Sequence, residues 1–140
     1  SEDVGMADSS VLQFVTSAMT AYEKIGMPEG ELTLAHAIIY LCTAPKSNKV
    51  YLAKEAAKCA AENEKDDFVP LHLRNTDFST GDKSDKPYLY PHDFGGYVRQ
   101  QYLPDGIINK KFYFPSENGN EKGVKDFLAY IEEKKKETNK

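Results

Sequence analysis

The sequence has no tryptophan, two cysteines and three histidines. Each scarcity closes a class of function. Cys42 and Cys59 stand neither at redox-pair spacing nor in a zinc pattern, so both are expected to be reduced, small packing residues inside helices. His36, His72 and His92, even with Asp93, lack the short spacing that metal-ligand pairs use, and no metal is expected. The chain contains no run approaching the roughly 20 apolar residues needed to cross a bilayer. Its opening Ser1-Glu2-Asp3 does not resemble a positively charged signal n-region, so the expectation is a soluble, cytoplasmic protein without a membrane partner. A phosphate-cradling G-x-x-x-x-G-K-[ST] motif is absent. The tetrapeptide Gly81-Asp82-Lys83-Ser84 lacks both the upstream glycine and the preceding apolar strand, and the expectation is no enzyme.

Basic charge is also in short supply. Eighteen Lys and Arg face 22 Asp and Glu, a net charge of -4, which excludes a surface that is basic overall but leaves room for a local basic stripe. With 40% hydrophobic and 29% charged residues, the composition is that of a folded chain.

Periodicity predicts a mainly α fold. A first helix is expected to be capped by Asp8 or Ser9 and to place Val11, Phe14, Val15, Ala18, Met19 and Tyr22 on one face, with Gly26 and Pro28 ending it. Residues 31 to 43 are apolar almost throughout, the pattern of a buried helix. Pro45 interrupts, Ser47 or Asn48 is a cap, and a third helix is expected to run to about Asn63. Ala53, Ala56, Ala57, Ala60 and Ala61 give it a small-residue face that would admit a neighbouring helix closely, while Lys54 and Lys58 lie on its other side. The charged stretch Glu62 to Asp67 reads as a solvated connection.

From Phe68 to Pro115 the prolines, glycines and aromatics argue against regular helix. Residues 76 to 86 read as an exposed loop, and short extended pieces are expected near Tyr88 to Tyr90 and Lys111 to Phe114. A last helix follows Asn118-Gly119-Asn120, with Val124, Phe127, Leu128 and Ile131 on one face and Lys134-Lys135-Lys136 near its end. The expected organisation is one compact helical domain over 1–140, with at most short strands. It divides into a helical part at 1–63, an irregular aromatic and proline-rich part at 64–117 and a C-terminal helix at 118–140.

Three candidate sites stand out. His72 or His92-Asp93 could orient a base, but no third partner or nucleophile elbow accompanies them, and an imidazole bonding loop carbonyls is the favoured reading of His92. Tyr88, Tyr90, Phe94, Tyr97 and Tyr102 with Arg99 could stack bases, with Arg74, Lys54 and Lys58 as further phosphate contacts, although packed irregular core is the favoured reading of the aromatics. The alanine-rich helix Ser47 to Asn63, through Ala53, Ala56, Ala57 and Ala60, and the apolar helix Glu31 to Thr43 are the candidates for an interface, with Tyr90, His92, Asp93, Tyr97 and Tyr102 of the Tyr90 to Pro104 segment bracing them.

Several ordered segments carry a resemblance. A-P-K-S-N-K-V-Y-L-A at Ala44 to Ala53, V-P-L-H-L-R-N at Val69 to Asn75 and Y-P-H-D-F-G-G-Y-V-R-Q-Q-Y-L-P at Tyr90 to Pro104 resemble the C-terminal domain of the RarA/MgsA family of replication-associated AAA+ ATPases, bacterial relatives of the Werner helicase-interacting ATPase. The opening S-E-D-V-G-M-A-D, I-G-M-P-E-G at Ile25 to Gly30 and F-Y-F-P-S-E-N-G at Phe112 to Gly119 extend it over nearly the whole chain. The resemblance implies part of a longer, clamp-loader-like ATPase, in which this domain joins protomers into a homotetramer. It further implies ATP and Mg in the full-length protein but no cofactor here, with single-strand-binding protein and fork or gapped DNA as partners. It also implies a nucleoid-associated location and a role in DNA recombination and repair.

Overall fold

The computed structural model describes residues 1–64, 69–74 and 87–137. Residues 65–67 of the charged connection and the stretch 76 to 86 read as an exposed loop, with Gly81-Asp82-Lys83-Ser84 in it, lie outside the described residues, as do the side chains of Lys135 and Lys136. Four α-helices are formed among the described residues: α1 (Ser10–Ile25), α2 (Gly30–Thr43), α3 (Lys49–Asn63) and α4 (Glu121–Glu137). No strand is present among them, and the fold is mainly α.

The chain groups into two compact units, Ser1–Ala56 with Phe112–Lys140, and Ala57–Lys111. This grouping cuts across the parts read along the sequence. The reason is that α4 folds back onto the N-terminal segment: the Asn120 amide donates to the Ala7 carbonyl at 2.8 Å and the Asn118 side-chain amide to the Lys46 carbonyl at 2.7 Å.

Within the first unit α1 and α2 form an antiparallel hairpin. Asp8 caps α1, its Oδ1 accepting from the Ser10 amide at 3.1 Å, while its Oδ2 accepts from the Tyr40 hydroxyl of α2 at 2.8 Å. Hydrogen bonds from the Ser10 and Tyr40 hydroxyls hold the Asp8 carboxyl below its ordinary pKa. Phe14 packs edge-on against His36 and Tyr40, with ring centroids 4.8 and 4.6 Å apart. Val4, Val11 and Ala44 are buried together, with Val15, Tyr40 and Leu41 packed on them. Gly26 ends α1 at φ 74°, a conformation that side chains resist. At the start of α2 the Tyr22 ring occupies the space beside Gly30, where a Cβ would stand 2.8 Å from it. Lys46 closes α2, its ammonium donating to the Leu41 carbonyl and to the Ala44 carbonyl at 2.7 Å.

Side-chain amides tie the second unit together at several points, around the buried Ala60, Val98 and Ile107. Gln100 takes both backbone groups of Leu89, accepting from its N–H at 3.1 Å and donating to its carbonyl at 2.7 Å. That pairing does the work of a strand neighbour, so the aromatic run around Tyr88 to Tyr90 needs no ladder. Gln101 donates to the Leu103 carbonyl at 2.9 Å and to Asp105 at 2.6 Å, while its own carbonyl accepts from His72 Nε2 at 2.8 Å. The carbonyl-pinning role expected of His92 is thus seen at His72.

Three expectations are corrected. Cys42 and Cys59 are exposed, not packed, because each falls on the outer side of its helix. Met19, placed on the inner face of α1 by periodicity, is also exposed, since α2 covers only the centre of that face. The helix over 31 to 43 is not buried: only Gly30 and Ala37 are, since α1 covers one side and the opposite side stands open.

Candidate interaction surface

The open side of α2 is the most unusual surface of the first unit. Leu32, Ile38 and Ile39 are 78%, 59% and 63% exposed, and Ala35 and Cys42 stand exposed between them. A helix in contact with water is ordinarily polar on that side. Here the outer face carries a single acidic residue, Glu31, in the first turn. Leu12 and Met19 of α1 and Met27 in the turn add further exposed apolar surface. Such a surface is characteristic of an interaction face.

The first unit is also locked by a buried carboxylate that the sequence did not single out. Glu121, at the first turn of α4, is 0% exposed. Its Oε2 accepts from the Ser47 hydroxyl at 2.8 Å, the Ser116 amide at 2.8 Å and the Ser116 hydroxyl, and its Oε1 from the Tyr113 hydroxyl at 2.7 Å. Burial pushes the Glu121 carboxyl up, but hydrogen bonds from Ser116, Tyr113 and Ser47 outweigh it, and the pKa lies below its ordinary value. Burial and the bond to Glu121 raise the Tyr113 hydroxyl to about 12. Ser47 also caps α3, accepting from the Lys49 amide at 3.2 Å. A signal was present: S-E-N-G-N-E puts a glutamate just where a capping helix start is expected.

An open cleft of about 530 Å³ lies nearby, lined by residues that include Asp3, Lys46, Ser47, Lys49, Ser116 and Asn118. Lys46, Ser47, Ser116 and Asn118 all make the internal bonds already described, so this cleft is a seam of the fold. Among the described residues no group of His, Cys, Asp and Glu is placed to hold a metal ion, and no helix is long and apolar enough to cross a membrane.

The other candidates are dispersed. On α3, Ala60 is buried, Ala53 and Ala57 are half-buried and Ala56 is exposed. The extensive helix–helix contact among the described residues is that of α1 with α2. Lys54 pairs with Glu55 and lies 5.3 Å from the Tyr51 ring centroid, and Lys58 stands 3.8 Å from Glu62. In the second unit His92 is exposed with its ring 4.9 Å from that of Tyr90, and Asp93 is exposed beside it. Arg74 donates to the Val69 carbonyl at 2.6 Å. Tyr88, Tyr90, Phe94 and Tyr102 are each about half exposed, Arg99 is exposed and Tyr97 is half-buried.

Residues 1–132 match the family described as MgsA AAA+ ATPase C terminal. The chain belongs to this family. Among its relatives, an uncharacterized AAA domain-containing protein of Mycobacterium tuberculosis is 43% identical over 127 residues, 89% of this chain and 28% of that protein. Replication-associated recombination protein A of Coxiella burnetii is 40% identical over 134 residues, covering 93% of this chain and 30% of the relative. The Escherichia coli protein of the same name is 39% identical over 137 residues, covering 95% and 31%. The chain thus spans less than a third of the length of these relatives. MgsA-type C-terminal domains are the C-terminal part of AAA+ ATPases, and the four helices and the Glu121 lock are the form that part takes here.

Proposed function

We propose that this MgsA-type domain is a non-catalytic oligomerisation and interaction module of a replication-fork-associated AAA+ ATPase acting in DNA recombination and repair. The exposed apolar outer face of α2 carries this reading. Covering the exposed parts of Leu32, Ile38 and Ile39 contributes at most about 1.5–3 kcal/mol per side chain, and association supplies that cover. A homotetramer then gathers several weak contacts to fork or gapped DNA and to single-strand-binding protein into one high effective concentration. In this reading ATP and Mg are bound in the ATPase core and not by this domain, which works in the cytoplasm at the nucleoid.

Light scattering across protein concentration and salt is the test. Apolar interfaces survive screening, so association should persist at about 1 M salt. Ile39→Asp should shift the mass toward monomer while the helical circular dichroism is unchanged. A parent protein that stays monomeric at every concentration refutes the assembly reading.

The half-exposed rings of Tyr88, Tyr90 and Tyr102, near Arg99 in sequence, favour a second reading, direct binding of single-stranded nucleic acid. Its signature is affinity that falls steeply with salt.

A further inference from the structure

The proposed assembly surface has a counterpart on the same unit. Around α4 the residues Gly123, Phe127, Tyr130 and Lys134 recur at steps of four, three and four, which places them on one stripe of the helix. All four are exposed, Phe127 at 59% and Tyr130 at 49%. A Cβ at Gly123 would meet nothing within 4 Å among the described residues, so no contact there requires this helix-weakening residue in the first turn of an exposed face. On the outer face of α2 the residues Glu31, Ala35, Ile38 and Cys42 recur at the same steps of four, three and four, and all four are exposed.

We infer that the outer stripe of α2 packs antiparallel on the Gly123 stripe of α4 in a second copy of this chain. This rests on the assembly reading and adds its partner surface and register. Run antiparallel, the two stripes bring Glu31 to Lys134, Ala35 to Tyr130, Ile38 to Phe127 and Cys42 to Gly123. Both stripes span eleven residue steps, or about 16 Å of helix at 1.5 Å per residue. Alternate steps of three and four are the spacing at which side chains of two helices interlock. Sizes also complement: the small Ala35 faces the Tyr130 ring, and two small residues meet at Cys42 and Gly123, letting the backbones approach. The charges at the ends are opposite, and Lys134, which lies 5.1 Å from the Tyr130 ring centroid, is already held toward that ring.

Charge exchange on the full chain tests this, with mass read by sedimentation equilibrium. Glu31→Lys and Lys134→Glu should each weaken association about tenfold by opposing like charges, and the double variant should recover most of the loss. Gly123→Phe, which fills the notch, should weaken association at unchanged helical circular dichroism. An assembly indifferent to both single exchanges, or not recovered in the double variant, overturns the pairing and leaves the assembly reading standing. A parent that never associates overturns both.

Discussion

Replacing Glu121 tests the account of how the first unit is held together. Its carboxylate accepts four hydrogen bonds from Ser47, Tyr113 and Ser116 at 0% exposure. Bonds to a charged acceptor are worth about 1.5–3 kcal/mol each, against about 1 for neutral pairs. Glu121→Gln keeps the shape and one carbonyl oxygen but loses the charge and turns a donor toward Tyr113, so the cost should be about 2 kcal/mol. Glu121→Ala leaves the buried Ser47 hydroxyl and the Tyr113 hydroxyl without their acceptor and opens a gap, for about 3–5 kcal/mol. Against a total stability of about 5–15 kcal/mol, the second change should bring the unit near unfolding. Urea titration followed by circular dichroism at 222 nm measures both. Transitions within about 0.5 kcal/mol of the parent for both variants would refute the lock. Because the folded pKa lies below the ordinary 4.5, the unfolded chain binds the proton first as pH falls. The stabilisation is therefore present above about pH 4.5 and lost as pH drops through the folded value, and the gap between parent and Glu121→Gln should close there.

At the alkaline end the sign reverses for Tyr113. With its pKa raised from 10.0 to about 12, the folded state keeps a proton that the unfolded chain gives up, so stability should fall between those values. Absorbance at 295 nm should show one late-titrating tyrosine that disappears in Tyr113→Phe. Gly119→Ala should destabilise by about 2–4 kcal/mol, since φ is 52° and a Cβ would stand 2.2 Å from the Ala7 carbonyl oxygen. Gly123→Ala, in open space, should instead stabilise the isolated chain by up to about 1 kcal/mol in the same denaturation assay. Both Cys42 and Cys59 should react quickly with a thiol reagent at low protein concentration, and Cys42 alone should become protected as the chain associates.

The sequence by itself determined where the helices lie and how they end. Heptad-like spacing of Val11, Phe14, Val15 and Ala18, the oxygen of Asp8, the positive φ required after Ile25 and the break at Pro45 are all local, and local chemistry sets local structure. It also carried the family, because the ordered motifs from Ser1 to Gly119 are properties of the string. The tertiary structure decided burial. An apolar helix such as α2 reads as core from its residues alone, yet whether α1 covers one side or both is a matter of what else packs there. The same holds for Glu121, whose type predicts exposure and whose burial depends on hydroxyls 74 and 8 positions away in Ser47 and Tyr113. Gln100 and Gln101 likewise look like surface residues, and only the path of the chain past Leu89 and His72 makes them its fasteners. Contacts between residues far apart in sequence have no periodic signature, and it is those contacts that leave one side of α2, read from its residues as both buried and a candidate interface, open to solvent.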